Sequence, residues 1–382
     1  MPVKIVTDIT EFEQLREKWN ALVETSVYPN IFTTWEWSFL WWKHFGASVG
    51  RRGGSLFILL VENDDPDGEL LAIFPLYRTG NGRLIYWIGY GAKLCPEYLG
   101  PLIRHDAIEI AVLTVCDFLV NDAGRWDRFF FEDYARDDPG TSAFAERLKQ
   151  KLPNRAASGE ARFYVSLPDS YDAYLKRFSG HNRMNKKNRL NKSKSAYLAS
   201  TEVVTAGDLE RGFFLLADLT TQSRKRLKQV SPYLQESYRA FHREILETLL
   251  PMNRAMLFLL KYADTPVAVL FSYTLNRKCY ATQLGWISDC PGSPGDLIFQ
   301  YMLIHLIENR FSELDFLRGG QWYKTTFTDT SRPTETLSVY YGKNFTYLCD
   351  RMKAQLYYPV KRIIKLLLLK LSKIRFRKNR KT

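Results

Sequence analysis

Between Cys290 and Phe327 the chain reads CPGSPGDLIFQYMLIHLIENRFSELDFLRGGQWYKTTF, and the residue types at its start could hold an anion. Ser293 can cap a helix, Pro294 suits the first helical position, and Asp296 is spaced to reach back to the cap. Amides left free at such a start, beside Gly292 and Gly295, would form a site for phosphate or carboxylate. The same residues also suit a purely structural capped core helix. Farther on, Glu313 to Leu317 reads as a short strand carrying Asp315. Gly319, Gly320, Trp322, Tyr323 and Lys324 then make a loop that mixes backbone freedom with aromatic and donor groups.

Two other stretches carry concentrated charge. The chain has 382 residues and a formal net charge of +13, and the excess is local. Residues 176–194 hold eight Lys/Arg and no acid, among them Arg183 and Lys187; residues 351–381 hold twelve and no acid. The first stretch reads as a basic helix, either a solvated face or a contact for a polyanion such as a coenzyme phosphate, a nucleic acid or a lipid diphosphate. Aromatic residues are not interleaved at base-stacking spacing, which weighs against nucleic acid. In the second stretch, Ile363, Ile364, Leu367, Leu371 and Ile374 share a helical face opposite lysines and arginines. A basic amphipathic helix over 361–381 would lie on an anionic membrane; a disordered tail or a partner-docking helix are the alternatives.

Other chemistries find little support. The five cysteines show no CxxC spacing, so no metal site is expected and a reducing compartment is. The five histidines are scattered and suggest no Ser-His-Asp arrangement. The N-terminus lacks an apolar signal core, and no run of eighteen apolar residues occurs. The expected location is cytoplasmic, peripheral to the inner face of the membrane.

The elements that must position these residues alternate between helix and strand. Val3–Val6 and Ser55–Val61, Leu70–Tyr77, Leu84–Ile88, Phe129–Glu132 and Phe163–Val165 read as strands; helices are expected from Asp8 or Thr10, over Thr34–Phe45, Ile108–Leu119 and Phe144–Lys151. The loop Gly89–Pro101, with Tyr90, Lys93, Glu97 and Tyr98, is rich enough in large polar groups to touch a substrate. In the second half a helix breaks at Gly180, helices follow over Asp208–Thr221 and Pro232–Leu250, and three strands (Met256–Tyr262, Val267–Leu275, Lys278–Trp286) lead into the stretch described first. Phe12 and Phe213, Leu56 and Leu257, and Tyr86 and Tyr280 occupy equivalent places about 200 residues apart, which indicates two similar α/β halves from a duplication. The expected domains are 1–166, 167–350 and a tail, 351–382, with a binding cleft between the halves.

The order of RxxxKKNRL (Arg183 to Leu190), FFLLADLTTQSR, PVAVLFSY, SPGDLI, LDFLRGG and YKTTF resembles the CelD-like acyltransferases of the GNAT superfamily, which are similar to FemAB-type transferases. The resemblance is clearest from Tyr171 to Phe327. It implies tandem GNAT-like domains of the α/β (α+β) class, each a mixed, mostly antiparallel sheet flanked by helices, and roles in polysaccharide or cell-envelope biosynthesis. It further implies an acyl-CoA donor, acetyl-CoA first, and an amine or hydroxyl of a sugar or peptide as acceptor. Ordinary GNAT enzymes place a Gln/Arg-x-x-Gly-x-Gly/Ala run before this helix, whereas this chain has Pro291-Gly292-Ser293-Pro294-Gly295, and Pro294 donates no N–H. FemAB-type relatives use aminoacyl-tRNA, and the basic helix would suit that polyanion equally. A membrane-peripheral binding protein without chemistry is the remaining alternative.

Direct transfer needs a held donor, a base and oxyanion donors. Under this resemblance Gly292, Ser293, Gly295 and Asp296 hold the donor phosphates, and the strand with Tyr280, Gln283, Gly285 and Trp286 holds the pantetheine arm and oxyanion. Asp315 is the base, Tyr323 a proton relay, and Arg183, Lys187, Trp322 and Lys324 contact the acceptor or other anionic groups. A covalent route through Cys279 or Cys290 is less favoured.

Overall fold

The computed structural model describes residues 2–50, 53–64, 68–92, 94, 97–121, 123–319, 323–353 and 355. The tail over 361–381, Lys93 and Trp322 lie outside the described residues. The chain begins with β1 (Val3–Val6), α1 (Ile9–Gln14), α2 (Arg16–Thr25) and α3 (Trp35–Phe45). Strands β2 (Ser55–Leu56), β3 (Ile58–Glu62), β4 (Leu70–Phe74), β5 (Leu76–Thr79), β6 (Leu84–Trp87) and β7 (Leu102–Ile103) follow. Then come α4 (Ile108–Asn121), β8 (Arg128–Ala135), α5 (Pro139–Lys151), β9 (Asn154–Ser158) and β10 (Arg162–Ser166). The second half opens with α6 (Tyr171–Leu175), α7 (Gly180–Tyr197), β11 (Ala199–Val203), α8 (Leu209–Arg226) and α9 (Glu236–Leu249). It continues through β12 (Ala255–Tyr262), β13 (Thr265–Leu275), β14 (Lys278–Trp286), α10 (Pro294–Glu308) and β15 (Glu313–Arg318) to β16 (Ser331–Arg332), β17 (Thr334–Tyr340) and α11 (Phe345–Met352).

Three sheets result, ordered β1-β3-β4-β7, β2-β5-β6-β8-β17-β9 and β11-β12-β13-β14-β15-β10-β16. Pro75, which cannot donate to a ladder, marks where the strand running from β4 to β5 passes from the first sheet to the second. The expected tandem, mixed, mostly antiparallel architecture is present. Each half has one parallel pair, β6 with β8 and β14 with β15.

The sheets do not divide at residue 166. Strand β10 leaves the first half to pair with β15 and β16, while β17 leaves the second half to pair with β8 and β9. Each half thus lends the other the strand beside its parallel pair. Aromatic side chains close the seam between them: Phe32 meets Tyr273 and Tyr280 edge-on at 5.7 and 5.8 Å, and Trp37 meets Phe241 at 6.1 Å. These rings belong to one continuous buried cluster that spans both halves.

Local chemistry places the helices that face the site. Ser170 and Ser179 accept from the amides of Ala173 and Asn182 and cap α6 and α7, so the basic stretch breaks at Gly180 as expected. Helix α9 starts at Glu236, not Pro232: residues Pro232–Leu234 form a 3-10 turn, and Ser231 makes no side-chain cap bond.

Candidate active site

Strands β14 and β15 are paired over three residues, Lys278 with Glu313, Cys279 with Leu314 and Tyr280 with Asp315. Beyond Tyr280 they part: β14 stays with β13, and β15 stays with β10. Thr282 is an extra residue in the β13 ladder, because Ala281 faces Ser272 while Gln283 faces Phe271. Its hydroxyl donates to the Phe271 carbonyl at 2.9 Å. Such a bulge raises the local twist and turns the strand away from its neighbour. The gap opens into a cavity of about 1730 Å³, and Ala281 and Phe316 stand on its two sides. The first half has the same three-residue parallel pairing, Leu84 to Tyr86 against Arg128 to Phe130. There the next residue is Trp87, 2 % exposed, with its ring 5.4 Å from both Phe129 and Phe131.

One end of the cavity is the start of α10. Ser293 has φ 56 and makes no side-chain cap bond, and the Asp296 carboxylate pairs with Arg189 of α7 instead of reaching back to the cap. The capping box expected from the sequence is therefore absent; the left-handed turn at Ser293 aims its hydroxyl elsewhere. The amides of Gly292, Ser293 and Gly295 have no partner among the described residues. Gly292, at φ +79, leaves room that a Cβ would take: that atom would lie 2.7 Å from the Tyr197 ring. Lys186, Arg189 and Lys192 of α7 line the same end. Lys186 lies over the rings of Phe178 and Phe327 at 4.7 and 4.6 Å, and burial lowers its pKa. Arg183 and Lys187 do not line the cavity, and Lys187 is paired with Asp172 at 2.8 Å.

At the other side, β15 ends in a tightly held turn. Asp315 is fully buried, does not line the cavity, and accepts from the Tyr98 hydroxyl and, at 2.6 Å, from the Leu317 amide. Burial raises its pKa, opposed by those two hydrogen bonds and by Arg332. Leu317 has φ 61, a costly conformation for a branched residue, and its carbonyl accepts from Lys324 Nζ at 3.1 Å. The same ammonium donates to the Arg318 carbonyl at 2.6 Å, and burial lowers its pKa to about 8. Tyr323 stacks on Phe299 at 5.6 Å, and burial pushes its phenol up to about 12. Glu97 reaches this point from the first half and is held by Arg162 at 2.8 Å and Arg318 at 3.1 Å.

The remaining expected residues divide. Gln283 and Trp286 line the cavity; Tyr280 and Gly285 do not. Tyr280 is sealed between Phe32 and Tyr98. A Cβ at Gly285 would run into the Thr220 amide nitrogen and lie 2.7 Å from the Leu219 carbonyl carbon, so this glycine admits the backbone of α8.

The deep end of the cavity, between the halves, is lined by Trp37 of the indole-rich helix and by residues that the sequence motifs did not single out: Phe32, Tyr238, Phe241, His242 and Tyr273. His242 Nδ1 lies 2.9 Å from the Tyr238 carbonyl and must donate to it. Nε2 is therefore the unprotonated nitrogen, with no partner among the described residues. The ring stacks on Tyr238 at 4.0 Å, and full burial lowers its pKa to about 4. The available signal was the run YRAFHREI, which sets Tyr238, Phe241, His242 and Ile245 on one helical face.

Residues 180–325 match the family model described as acetyltransferase (GNAT) domain. This region is a GNAT acyltransferase domain. It contains α7 to α10, the parting strands and the β15 turn, and so all of the second-half wall of the cavity but Thr326. No curated protein matches the chain in sequence. Solved structures share its fold over most of its length: FemX, at 12 % identity and TM-score 0.57, covers 90 % of this chain and 96 % of its own. L-PGS from Bacillus licheniformis is 14 % identical, with TM-score 0.54, over 87 % of this chain and 94 % of its own. A conserved protein of unknown function from Bacteroides thetaiotaomicron is 11 % identical, with TM-score 0.51, over 89 % and 99 %. At these identities the likeness is one of fold. Among the described residues no cluster of His, Cys, Asp and Glu is placed to hold a metal, and no helix is long and apolar enough to cross a membrane.

Proposed function

We propose that the chain transfers an acyl group from acyl-CoA, acetyl-CoA first, to a hydroxyl of a neutral sugar-like acceptor of envelope or polysaccharide synthesis, in keeping with its CelD-like sequence pattern. The observation that carries this reading is the parting of β14 from β15 after Tyr280, which leaves strand-edge amides facing a cavity. The donor supplies an activated acyl carbonyl. The free amides of Gly292, Ser293 and Gly295, with Lys186, Arg189 and Lys192, hold its phosphates. The unpaired edge of β14 beyond Tyr280 binds the arm and stabilises the oxyanion. The aromatic chamber takes the acceptor, and His242 Nε2 accepts its hydroxyl proton and returns it to the leaving group. Asp315 acts as a positioning residue for the Leu317 turn, Lys324 fixes the same turn, and Tyr323 is the alternative relay.

Charge favours a neutral acceptor over an ammonium. Of the carboxylates on the cavity, Glu97 is held by two arginines and Asp296 by Arg189, and Glu160 is exposed at the rim. A second reading, with aminoacyl-tRNA as donor, is favoured by the basic face of α7 at the mouth.

Ala281→Trp tests the reading by placing in the second half the residue type that fills the equivalent position of the first. Wild-type protein should gain thermal stability with acyl-CoA, by about 2.7 kcal/mol at one hundred times its Kd. The variant should fold and lose the shift. A shift with charged tRNA alone would move the donor assignment, and no shift with CoA, acyl-CoA or charged tRNA would refute the reading.

A further inference from the structure

From Gln222 to Gln235 the chain reads QSRKRLKQVSPYLQ, with four basic residues and no acid. This segment is the last turn of α8 and the connection to α9, and it lines the cavity through Arg224, Leu227 and Val230, as Lys186, Arg189 and Lys192 of α7 do. Val230 is 80 % exposed, Leu234 72 % and Leu227 50 %. The exposure belongs to a built loop. Leu227 and Gln229 donate backbone bonds to Ser223 and Arg224, Leu234 donates to Ser231, and the Thr221 hydroxyl donates to Ser231 Oγ at 2.8 Å. Lys225, Arg226 and Lys228 have no acidic partner among the described residues.

We propose that this loop docks on an anionic phospholipid surface, with Leu227, Val230 and Leu234 entering the boundary between headgroups and acyl chains while Arg224, Lys225, Arg226 and Lys228 meet lipid phosphates. Exposed aliphatic side chains ringed by cations are what an interfacial lipid contact requires. A nucleic acid would also meet the cations, but aliphatic side chains give its bases no stacking platform. Docked in this way, the cavity mouth opens at the membrane, where a lipid-linked acceptor would present its headgroup. The surface is independent of the donor chemistry, because it stands on exposure and charge alone.

Flotation of the full chain with phosphatidylcholine vesicles, with and without phosphatidylglycerol, tests the assignment. Wild-type protein should bind only the anionic vesicles, and Val230→Asp/Leu234→Asp should bind them roughly tenfold or more weakly even with the basic tail present. Phe345→Asp, an equally exposed apolar site on α11, should bind as wild type does. A fluorophore on Val230→Cys should shift to the blue on the same vesicles without any change of charge. Absence of wild-type binding, an unshifted fluorophore, or a double variant that binds like wild type would overturn the proposal. The acyl-CoA thermal shift of Leu234→Asp alone, at a position that does not line the cavity, should match wild type, which separates a failure here from a failure of the transfer reading.

Discussion

Replacing His242 by glutamine tests both its buried, neutral state and its place in the reaction. Folding lowers its pKa from 6.5 to about 4, with burial as the cause and the bond to the Tyr238 carbonyl opposing it. Between those values the unfolded chain binds more protons than the folded one, so stability rises with pH through this window and is lost as pH falls from 6.5 towards 4. The full gap corresponds to about 3 kcal/mol, and about 2 kcal/mol of it falls between pH 7.5 and pH 5. Tyr233, Tyr238, Phe241 and Phe271 surround the ring, and none of these changes charge in that range. Urea unfolding of wild type and His242→Gln at the two pH values isolates the residue, since the other titrating groups are common to both. The wild type should lose about 2 kcal/mol more than the variant on acidification. At pH 7.5 the variant should bind acyl-CoA normally and turn over roughly a hundredfold more slowly. Equal pH dependence in the two proteins would refute the buried neutral imidazole, and equal turnover would remove it from the reaction.

Two further outcomes follow from the geometry. Lys186→Ala/Arg189→Ala/Lys192→Ala should weaken acyl-CoA binding by isothermal titration by roughly tenfold or more, whereas Arg183→Ala/Lys187→Ala on the same helix should leave it unchanged, because only the first three face the cavity. Gly285→Ala should cost about 1–3 kcal/mol in urea unfolding through its clash with α8, while Gly180→Ala, with nothing within 4 Å of the new Cβ, should change stability by less than about 1 kcal/mol.

The legible parts of the fold were those written locally. Alternation and the turn at Asn276-Arg277 placed β13 and β14 to within two residues, and apolar density with Pro294 placed α10. What could not be read was partnership between distant segments. Nothing in TETLSVY or RFYVS tells which sheet will receive the strand, since both sequences suit any half-buried ladder. The exchange of β10 and β17 is decided by the packing of the two halves. The site failed to be legible for related reasons. Asp315 was assigned as base from its place near a strand end, but its carboxylate turns to Tyr98, 217 residues earlier. His242 was one of five scattered histidines on an apolar helical face, and only the opposite wall, supplied by Phe32 and Trp37, makes that face a cavity.

The two halves also show why one lines the candidate site with an open gap and the other with a wall. Both open their sheets after three parallel pairs, so the backbone creates a gap twice. In the first half Trp87 fills it with a ring packed on Phe129, Phe131 and Phe144, turning the gap into core. In the second half Ala281 leaves it open, and the bulge at Thr282 widens it. A buried indole stabilises its half, whereas an open gap forgoes that burial and leaves the edge of β14 beyond Tyr280 without a paired strand among the described residues. The exchanged strands and the aromatic seam offset this by holding the open unit against the filled one. On this argument the first half is retained because the site needs its rigid wall: Phe32, Trp37 and Glu97 complete a cavity that the GNAT domain alone would leave open to solvent.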